Sequence, residues 1–493
     1  MFGHQAASAT GLTLLLSLAS PLGLMAGVEA VAATQVRTIE PTVPGTCLVQ
    51  AINPFLRTVY HHCPPPQTDI KRIRPYRNPP RYPWTHPVRC LKAAGSEDTP
   101  RKAYDIRYCL YSDATMGGLH GLSLITAPEI AADVISADAL EDRPYYGGSR
   151  QRVFVPGPVD GAYTVKPTPG KGLGVVATRK IVQGEIAMLD LPALLLSKAF
   201  LEDAAPLPRR RLIRRGLSQL PAATQERVYA LSTSTGGDVV DAILGTNTIS
   251  LTLGMNQMHL GLYPELSRIN HACNPNAYYR FSHRTLTVEV VAYRDIQPGE
   301  EITISYAQLT QSRTERRLFL QNNWHFNCSC SLCRADVDSV TLSEDRRRDM
   351  RKLQSTLVQA SRAGDYDLAL LTAETLQDVT EAEGVTPLRA EMYDIIASIH
   401  LDMRNFNQAV RYGQLALEAW EKFDSVDDSQ LVAARWFLAF VEQARQQDQA
   451  ERQQREHDEA EEAAMEDSLE DFFYLSRRRR TGGRESNAAE LEW

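Results

Sequence analysis

The chain has 493 residues, 43% of them hydrophobic, with 27 prolines. That is too long for one ordinary core and too apolar for a disordered chain, so two or three globular units joined by irregular stretches are expected. A formal net charge of −7 argues against a nucleic-acid binder that works through bulk positive potential, and no direct nucleic-acid contact is expected.

In chain order, Gly11 to Val28 is apolar and uncharged, and Ala30-Val31-Ala32 makes a small-x-small cleavage site. Residues 1–33 therefore read as a secretory signal peptide. The n-region carries only His4 and the amino terminus as positive groups, so a signal anchor or mitochondrial presequence is the competing reading. A signal in use implies the secretory pathway or the exterior; an unused one implies nucleus or cytoplasm. No other stretch approaches the roughly 18 apolar residues of a membrane span, and no stable span is expected.

Residues 34–160 form a Pro-rich, cysteine-bearing region. Pro64-Pro65-Pro66 and the stretch from Arg72 to Arg89 hold too many prolines for helix or central strand. Cys47, Cys63, Cys90 and Cys109 lack C-x-x-C spacing, which predicts two disulfides with all three pairings open. Order increases from Tyr108, with a strand at Leu122 to Ile125 and a short helix at Pro128 to Val134.

Strand-like text begins near Ala162 and spans 161–335. Val175-Val176-Ala177-Thr178 is β-branched, Gln183-Gly184 is a turn, and Glu185 to Asp190 alternates. Residues 199–246 read as a helical insertion, with Leu220-Pro221-Ala222-Ala223 opening one helix. Strands return at Thr248 to Leu253 and Leu286 to Tyr293, before a Pro298-Gly299 turn. Over 336–450, apolar residues recur at i, i+3 and i+4. Asp365 to Ala369 and Asn405 to Ala409 look like two similar helix starts. The tail 451–493 is acidic from Asp458 to Asp471, basic from Arg477 to Arg480, and expected to be disordered.

Gly170-Lys171-Gly172-Leu173-Gly174-Val175-Val176-Ala177 contains a G-x-G-x-x-A string. A dinucleotide site would need a helix to open directly after it, so that the helix N-terminus receives the pyrophosphate. β-branched residues follow instead, and that reading fails. Further on come Arg268-Ile269-Asn270-His271-Ala272-Cys273-Asn274-Pro275-Asn276, then Gly299-Glu300-Glu301-Ile302-Thr303-Ile304-Ser305-Tyr306, then Cys328-Ser329-Cys330-Ser331-Leu332-Cys333. Taken alone, Asn274-Pro275-Asn276 is turn chemistry. Tyr306 alone reads as a core aromatic, and the three close cysteines are one thiolate short of a tetrahedral zinc site.

In this order and spacing the three segments resemble the SET-domain protein-lysine methyltransferases, in which NHSCxPN and GEExxxxY build the cofactor and catalytic centre. The resemblance is strong over residues 165–335 and weaker over 340–450. Its arrangement is similar to the SET-and-MYND subgroup and its fungal relatives, without the Cys- and His-rich MYND finger. It implies an α+β fold: a SET-domain β-fold with a pseudoknot and a post-SET zinc site, followed by an α-helical, tetratricopeptide-like domain.

By the same resemblance, S-adenosyl-L-methionine (AdoMet) would contact Lys171, Gly172, Leu173, Gly174, Asn247, Asn270, His271, Tyr306 and Phe326. Cys273 would join Cys328, Cys330 and Cys333 around Zn2+, with disulfides among them as the competing reading. Tyr306 would be the catalytic phenol. Methyl transfer to a lysine needs an aligned, neutral amine. At a free pKa near 10.4 only about one amine in a thousand is neutral at pH 7. A narrow apolar channel ending at a phenolic oxygen supplies both alignment and desolvation. Glu300 and Glu301 follow the Pro-Gly turn and are expected to be exposed, outside the chemistry. Ala272 replaces the serine of NHSC, and Trp324 stands where a second channel tyrosine is common. The partner implied is a protein with a lysine side chain, histone or non-histone, and the chain is expected to be a monomer. The alternative is a catalytically silent interaction module. Asn327-Cys328-Ser329, the sole N-x-S/T sequon, is expected to be unmodified, because a glycan would sit against the zinc.

Overall fold

The structure is a computed structural model that describes residues 83–92, 107–136, 156–254, 257–283, 285–385, 388–423 and 429–482. The expected signal segment and Cys47 and Cys63 lie outside the described residues.

Three sheets carry the β-part. The largest has six strands in the order β1-β2-β3-β8-β10-β9. These are β1 (Arg89–Lys92), β2 (Arg107–Asp113), β3 (Leu122–Thr126), β8 (Leu194–Ser197), β10 (Gln257–Leu262) and β9 (Thr248–Leu253). A second sheet runs β11-β14-β6-β5 and a third β12-β13-β7-β4. Their strands are β4 (Gly157–Pro158), β5 (Tyr163–Thr168), β6 (Gly172–Ala177), β7 (Ile186–Asp190), β11 (Asn270–His271), β12 (Ala277–Phe281), β13 (Val288–Ala292) and β14 (Glu301–Ile304).

The strands expected at Val175, Glu185, Thr248 and Leu286 are present as β6, β7, β9 and β13. Strands β8 and β10 escaped the sequence reading. All four residues of β8 are buried, so it lacks the alternation that marks a half-exposed strand. Its two faces are covered differently. Leu195 packs with Leu122, Leu124 and Tyr263 in one apolar cluster. Leu194 and Leu196 pack with Leu212, Ile213, Leu217 and Ile243 in another. These last four come from two helices of the insertion, α3 (Pro206–Ser218) and α5 (Val239–Asn247), which follow α2 (Lys198–Asp203) and flank α4 (Ala222–Tyr229).

The region before 160 is more ordered than its prolines imply. β1, β2, β3 and the helix α1 (Pro128–Ser136) extend the large sheet, with β3 parallel to β8. Cys90 faces Cys109 across the β1–β2 pair, and the two form a disulfide. The strand expected at Leu122 and the helix expected at Pro128 are β3 and α1.

After β14 come α6 (Arg313–Trp324) and α7 (Ser331–Arg334), then the helical region: α8 (Val337–Ala363), α9 (Tyr366–Glu383), α10 (Leu388–Asp402), α11 (Phe406–Phe423) and α12 (Ser429–Gly482). Both expected helix starts are realised. Asp365 caps α9 by accepting from the Leu368 amide at 3.1 Å, and Asn405 stands before α11, accepting from the Gln408 amide at 3.5 Å. The expected disordered tail is a correction: α12 continues to Gly482. Residues 450–465 are dense in Glu, Gln, Ala and Arg, strong helix formers that need no packing partner to favour the helix. No helix among the described residues is long and apolar enough to cross a membrane.

Residues 456–475 are exposed on every side, so deleting 456–493 removes no core contact among the described residues. A thermal melt of the truncated chain should fall within about 2 °C of the full chain. A drop of 5 °C or more would mean that this length of helix is packed.

Candidate cofactor and metal site

The site begins with two short segments that sequence places thirty residues apart. β11 runs parallel to β14, pairing Asn270 with Thr303 and His271 with Ile304. The Ala272 amide continues the ladder to the Ile304 carbonyl at 3.0 Å. The ladder ends there, and four residues on, the side chain of Asn276 bonds back to the same strand. Its Oδ1 accepts from the Thr303 amide at 2.8 Å. Its Nδ2 donates to the Glu301 carbonyl at 2.9 Å and to Glu300 Oε1 at 3.0 Å. Asn276 is 2% exposed, so no water can replace these bonds.

Glu301 departs from the sequence expectation. It is not on an exposed turn: its carboxylate accepts from Lys171 Nζ at 2.6 Å and from Asn270 Nδ2 at 2.9 Å. Asn270 Nδ2 also donates to the Leu173 carbonyl at 3.1 Å. A Cβ added at Gly174 would lie 2.8 Å from Asn270 Nδ2 and 2.9 Å from Glu301 Oε1. Only glycine lets β6 pass this close. Gly172 sits at φ +75°, in the left-handed region that also favours glycine.

His271 is held by both ring nitrogens. The Tyr306 amide donates to its Nδ1 at 3.0 Å, which leaves the proton on Nε2, 3.3 Å from Cys273 Sγ. Burial pushes its pKa down to about 3, so the ring is neutral and faces the cysteines. Tyr306 donates its phenolic proton to the Ile269 carbonyl at 2.6 Å. Burial, with Glu301 adding to it, pushes that phenol well above its usual pKa. Trp324 lies over Tyr306, ring centres 5.1 Å apart, and donates from Nε1 to the Thr246 carbonyl at 2.9 Å.

These groups surround a cavity of about 910 Å3, within the usual range for small-molecule sites. Lys171, Leu173, Asn247, Asn270, His271, Tyr306 and Phe326 all line it. Gly172 and Gly174 are not among its walls. Asn247, at the end of α5, donates from Nδ2 to the Ile243 and Ser232 carbonyls, both at 2.8 Å. The amide donors of Asn247 and Asn270, like both ring nitrogens of His271, are therefore spent inside the fold. The cavity suits AdoMet by size, by its aromatic wall and by its mixed polar rim. Asn327 stands in the same wall beside Cys328.

The four late cysteines are free and buried. Their sulfurs all lie within 4.8 Å of one another, with Cys273 3.8 Å from Cys328 and 3.6 Å from Cys333. A tetrahedron with Zn–S bonds of about 2.3 Å has edges of about 3.8 Å. The donor set fits zinc, and the expected alternative of disulfides within this cluster is not formed. Tyr306, Trp324, Phe326 and Leu320 pack on the cysteines, so cavity and cluster share one aromatic wall.

Four residues of this site were not found from sequence: Asn276, Glu301, Arg316 and Arg347. The Nη2 of Arg347 donates to the Cys273 carbonyl at 2.9 Å. Nothing in Arg346-Arg347-Arg348 distinguishes the buried arginine from its neighbours.

This geometry defines a SET-type cofactor fold, and comparison with known proteins agrees: residues 172–307 match the SET domain. Residues 172–307 thus form a SET domain. The chain is 32% identical over 186 residues to histone-lysine N-methyltransferase set5 of Schizosaccharomyces pombe, covering 38% of this chain and 54% of that protein. It is 25% identical over 174 residues to histone-lysine N-methyltransferase SMYD3 of Homo sapiens, covering 34% and 40%. Protein-lysine N-trimethyltransferase SMYD5 of Mus musculus is 43% identical over 88 residues, covering 17% and 21%. The chain thus spans about half or less of the length of these relatives.

Asn276→Ala strands the Thr303 amide and the Glu301 carbonyl, and should cost about 3 kcal/mol in urea unfolding. Gly174→Ala should leave the chain folded by circular dichroism but weaken AdoMet binding at least tenfold, as Asn270 and Glu301 are pushed apart.

Proposed function

We propose that the chain is an AdoMet-dependent protein-lysine N-methyltransferase, with residues 161–335 as its catalytic core and residues 336–450 as an α-helical domain beside it. The observation that carries this reading is the Tyr306 phenol, pinned by its own proton to the Ile269 carbonyl at the wall of a cavity of cofactor size. The named activities of the relatives support it, as does the SET domain match.

AdoMet, when bound, would supply an electrophilic methyl group on a sulfonium. Everything else falls to the chain. Asn270, Glu301 and Lys171 hold the Gly172–Gly174 backbone at the cavity rim. Phe326 and the edge of His271 offer an aromatic surface suited to an adenine. Because the Tyr306 hydroxyl already donates its hydrogen bond to the Ile269 carbonyl, its oxygen keeps lone pairs for the amine and for the polarised methyl hydrogens. Trp324 and Tyr306 make the channel apolar, which favours the neutral lysine by desolvation. The raised phenol pKa keeps Tyr306 protonated throughout, so it orients the amine and is not its base. Cys273, Cys328, Cys330 and Cys333 would hold Zn2+ in a closed, structural site with no open position for chemistry. The substrate class is a protein presenting a lysine side chain.

The test uses the full chain, since β1, β2 and β3 belong to the same sheet as β8. AdoMet titrated calorimetrically into zinc-loaded protein should bind 1:1, and Asn270→Ala should weaken this at least tenfold. Absence of binding to folded protein would leave the silent interaction module as the function. Tyr306→Phe should lower turnover on a lysine substrate about a hundredfold, with the AdoMet Kd within twofold. Below the effective lysine pKa, kcat/KM should rise up to tenfold per pH unit, with no fall from Tyr306 ionisation below pH 10. Unchanged turnover in Tyr306→Phe would remove this residue from the mechanism.

A further inference from the structure

Two arginines near the cysteine cluster have no part in the chemistry above, yet both are buried, Arg316 at 1% exposure and Arg347 at 0%. A buried guanidinium is costly unless each of its three nitrogens finds an acceptor. Arg347, on α8, meets that condition. Nη2 donates to the Cys273 carbonyl at 2.9 Å, Nη1 to the Leu309 carbonyl, and Nε to Glu383 Oε1 at 2.8 Å and to Ser343 Oγ at 3.2 Å.

Arg316, on α6, does not. Nη2 donates to Glu344 Oε1 at 3.1 Å and Nη1 to the Gln311 carbonyl, but its buried Nε has no partner. The guanidinium is near enough to Cys273 for the two to interact electrostatically. One helical turn further along α6, Leu320 packs directly on the four cysteines. A neutral thiol is a weak acceptor, whereas a thiolate is a strong one. Four thiolates around one divalent cation carry a formal charge of about −2, and they would supply the acceptor that Nε lacks.

We propose that Arg316 and Arg347 form a cationic support for the metal-loaded cysteine cluster, gripping Cys273 by its sulfur and by its carbonyl, so that metal retention depends on both arginines. The inference rests on reading the cysteines as zinc ligands and extends it to these two residues. It also ties the cluster to the helical region. Arg347 lies on α8 and Glu383 on α9, both beyond the SET match, and Glu344, which orients Arg316, is on α8 as well.

The experiment measures zinc release from full-length, zinc-loaded protein into an excess of a chromophoric chelator. Arg316→Met and Arg347→Met should release zinc 10- to 100-fold faster than the unmodified chain, the usual effect of losing an outer-sphere partner. Arg316→Lys, which keeps the charge but loses the fork, should fall between. Met350→Ala serves as the control: Met350 is fully buried on α8 within the helical core. It should melt at lower temperature yet keep its zinc at the unmodified rate. Wild-type release rates in folded Arg316→Met would overturn the proposal, as would Met350→Ala losing zinc equally fast. Should Arg316→Met not fold, wild-type release from Arg316→Lys overturns it. A wild-type chain that binds no zinc would overturn the metal site and this inference together.

Discussion

The side chain of Asn276 holds the site in place. After the main-chain ladder of β11 has ended at Ala272, it bridges back to Thr303 and Glu301 with bonds that water cannot reach. Upstream of it, Asn270, His271 and Cys273 are all set by the parallel pairing with β14. Downstream, the same strand delivers Tyr306, whose amide holds His271 and whose phenol returns to Ile269. The cavity wall and the cysteine cluster therefore share one support. A single lost amide would loosen both.

The cysteines divide between two environments. Cys90 and Cys109 are bonded across a strand pair at the outer edge of the large sheet. The opposite edge of that sheet, β9, contributes Thr248, Ile249 and Ser250 to the cavity. Between the two edges β2, β3 and β8 are almost wholly buried, whereas β10 keeps Gln257 and Met258 exposed. Among the described residues the other four cysteines are buried as free thiols beneath an aromatic wall, with the donor geometry zinc prefers.

Among the contacts of the helical region with the core, two lie at separate places. Arg347 of α8 reaches the Cys273 carbonyl. At the far end of α11, Lys422 donates to Gln183 at 3.2 Å and lays its stem over the β6–β7 turn. A Cβ at Gly184 would come within 2.6 Å of that stem. Gly184 takes φ +84°, so turn geometry and close approach both ask for glycine there. Two contacts so far apart resist a rocking of the helices against the core.

Much of this was readable in the chain. Period-two alternation marked β7 and β13, and Asp365 and Asn405 marked two helix starts through local capping. The order of Asn270-His271, Tyr306 and the cysteine triplet pointed to the SET core and to the four cysteines that the fold brings together. These signals are local or lie in fixed motifs. The sequence could not disclose β8, whose unbroken leucines are ambiguous between strand and buried helix, nor the continuation of α12 through a charged tail. It could not disclose the role of Glu301 after a turn, nor which arginine of Arg346-Arg347-Arg348 would be enclosed. Those outcomes depend on what other segments bring to the same place. A carboxylate becomes a clamp only when Lys171 and Asn270 arrive beside it, and a guanidinium becomes a support only once the cysteines are packed against it. The sequence by itself determined which chemical groups are present and their local conformations. Only tertiary packing decided which of them lost water, and with it which had to pair.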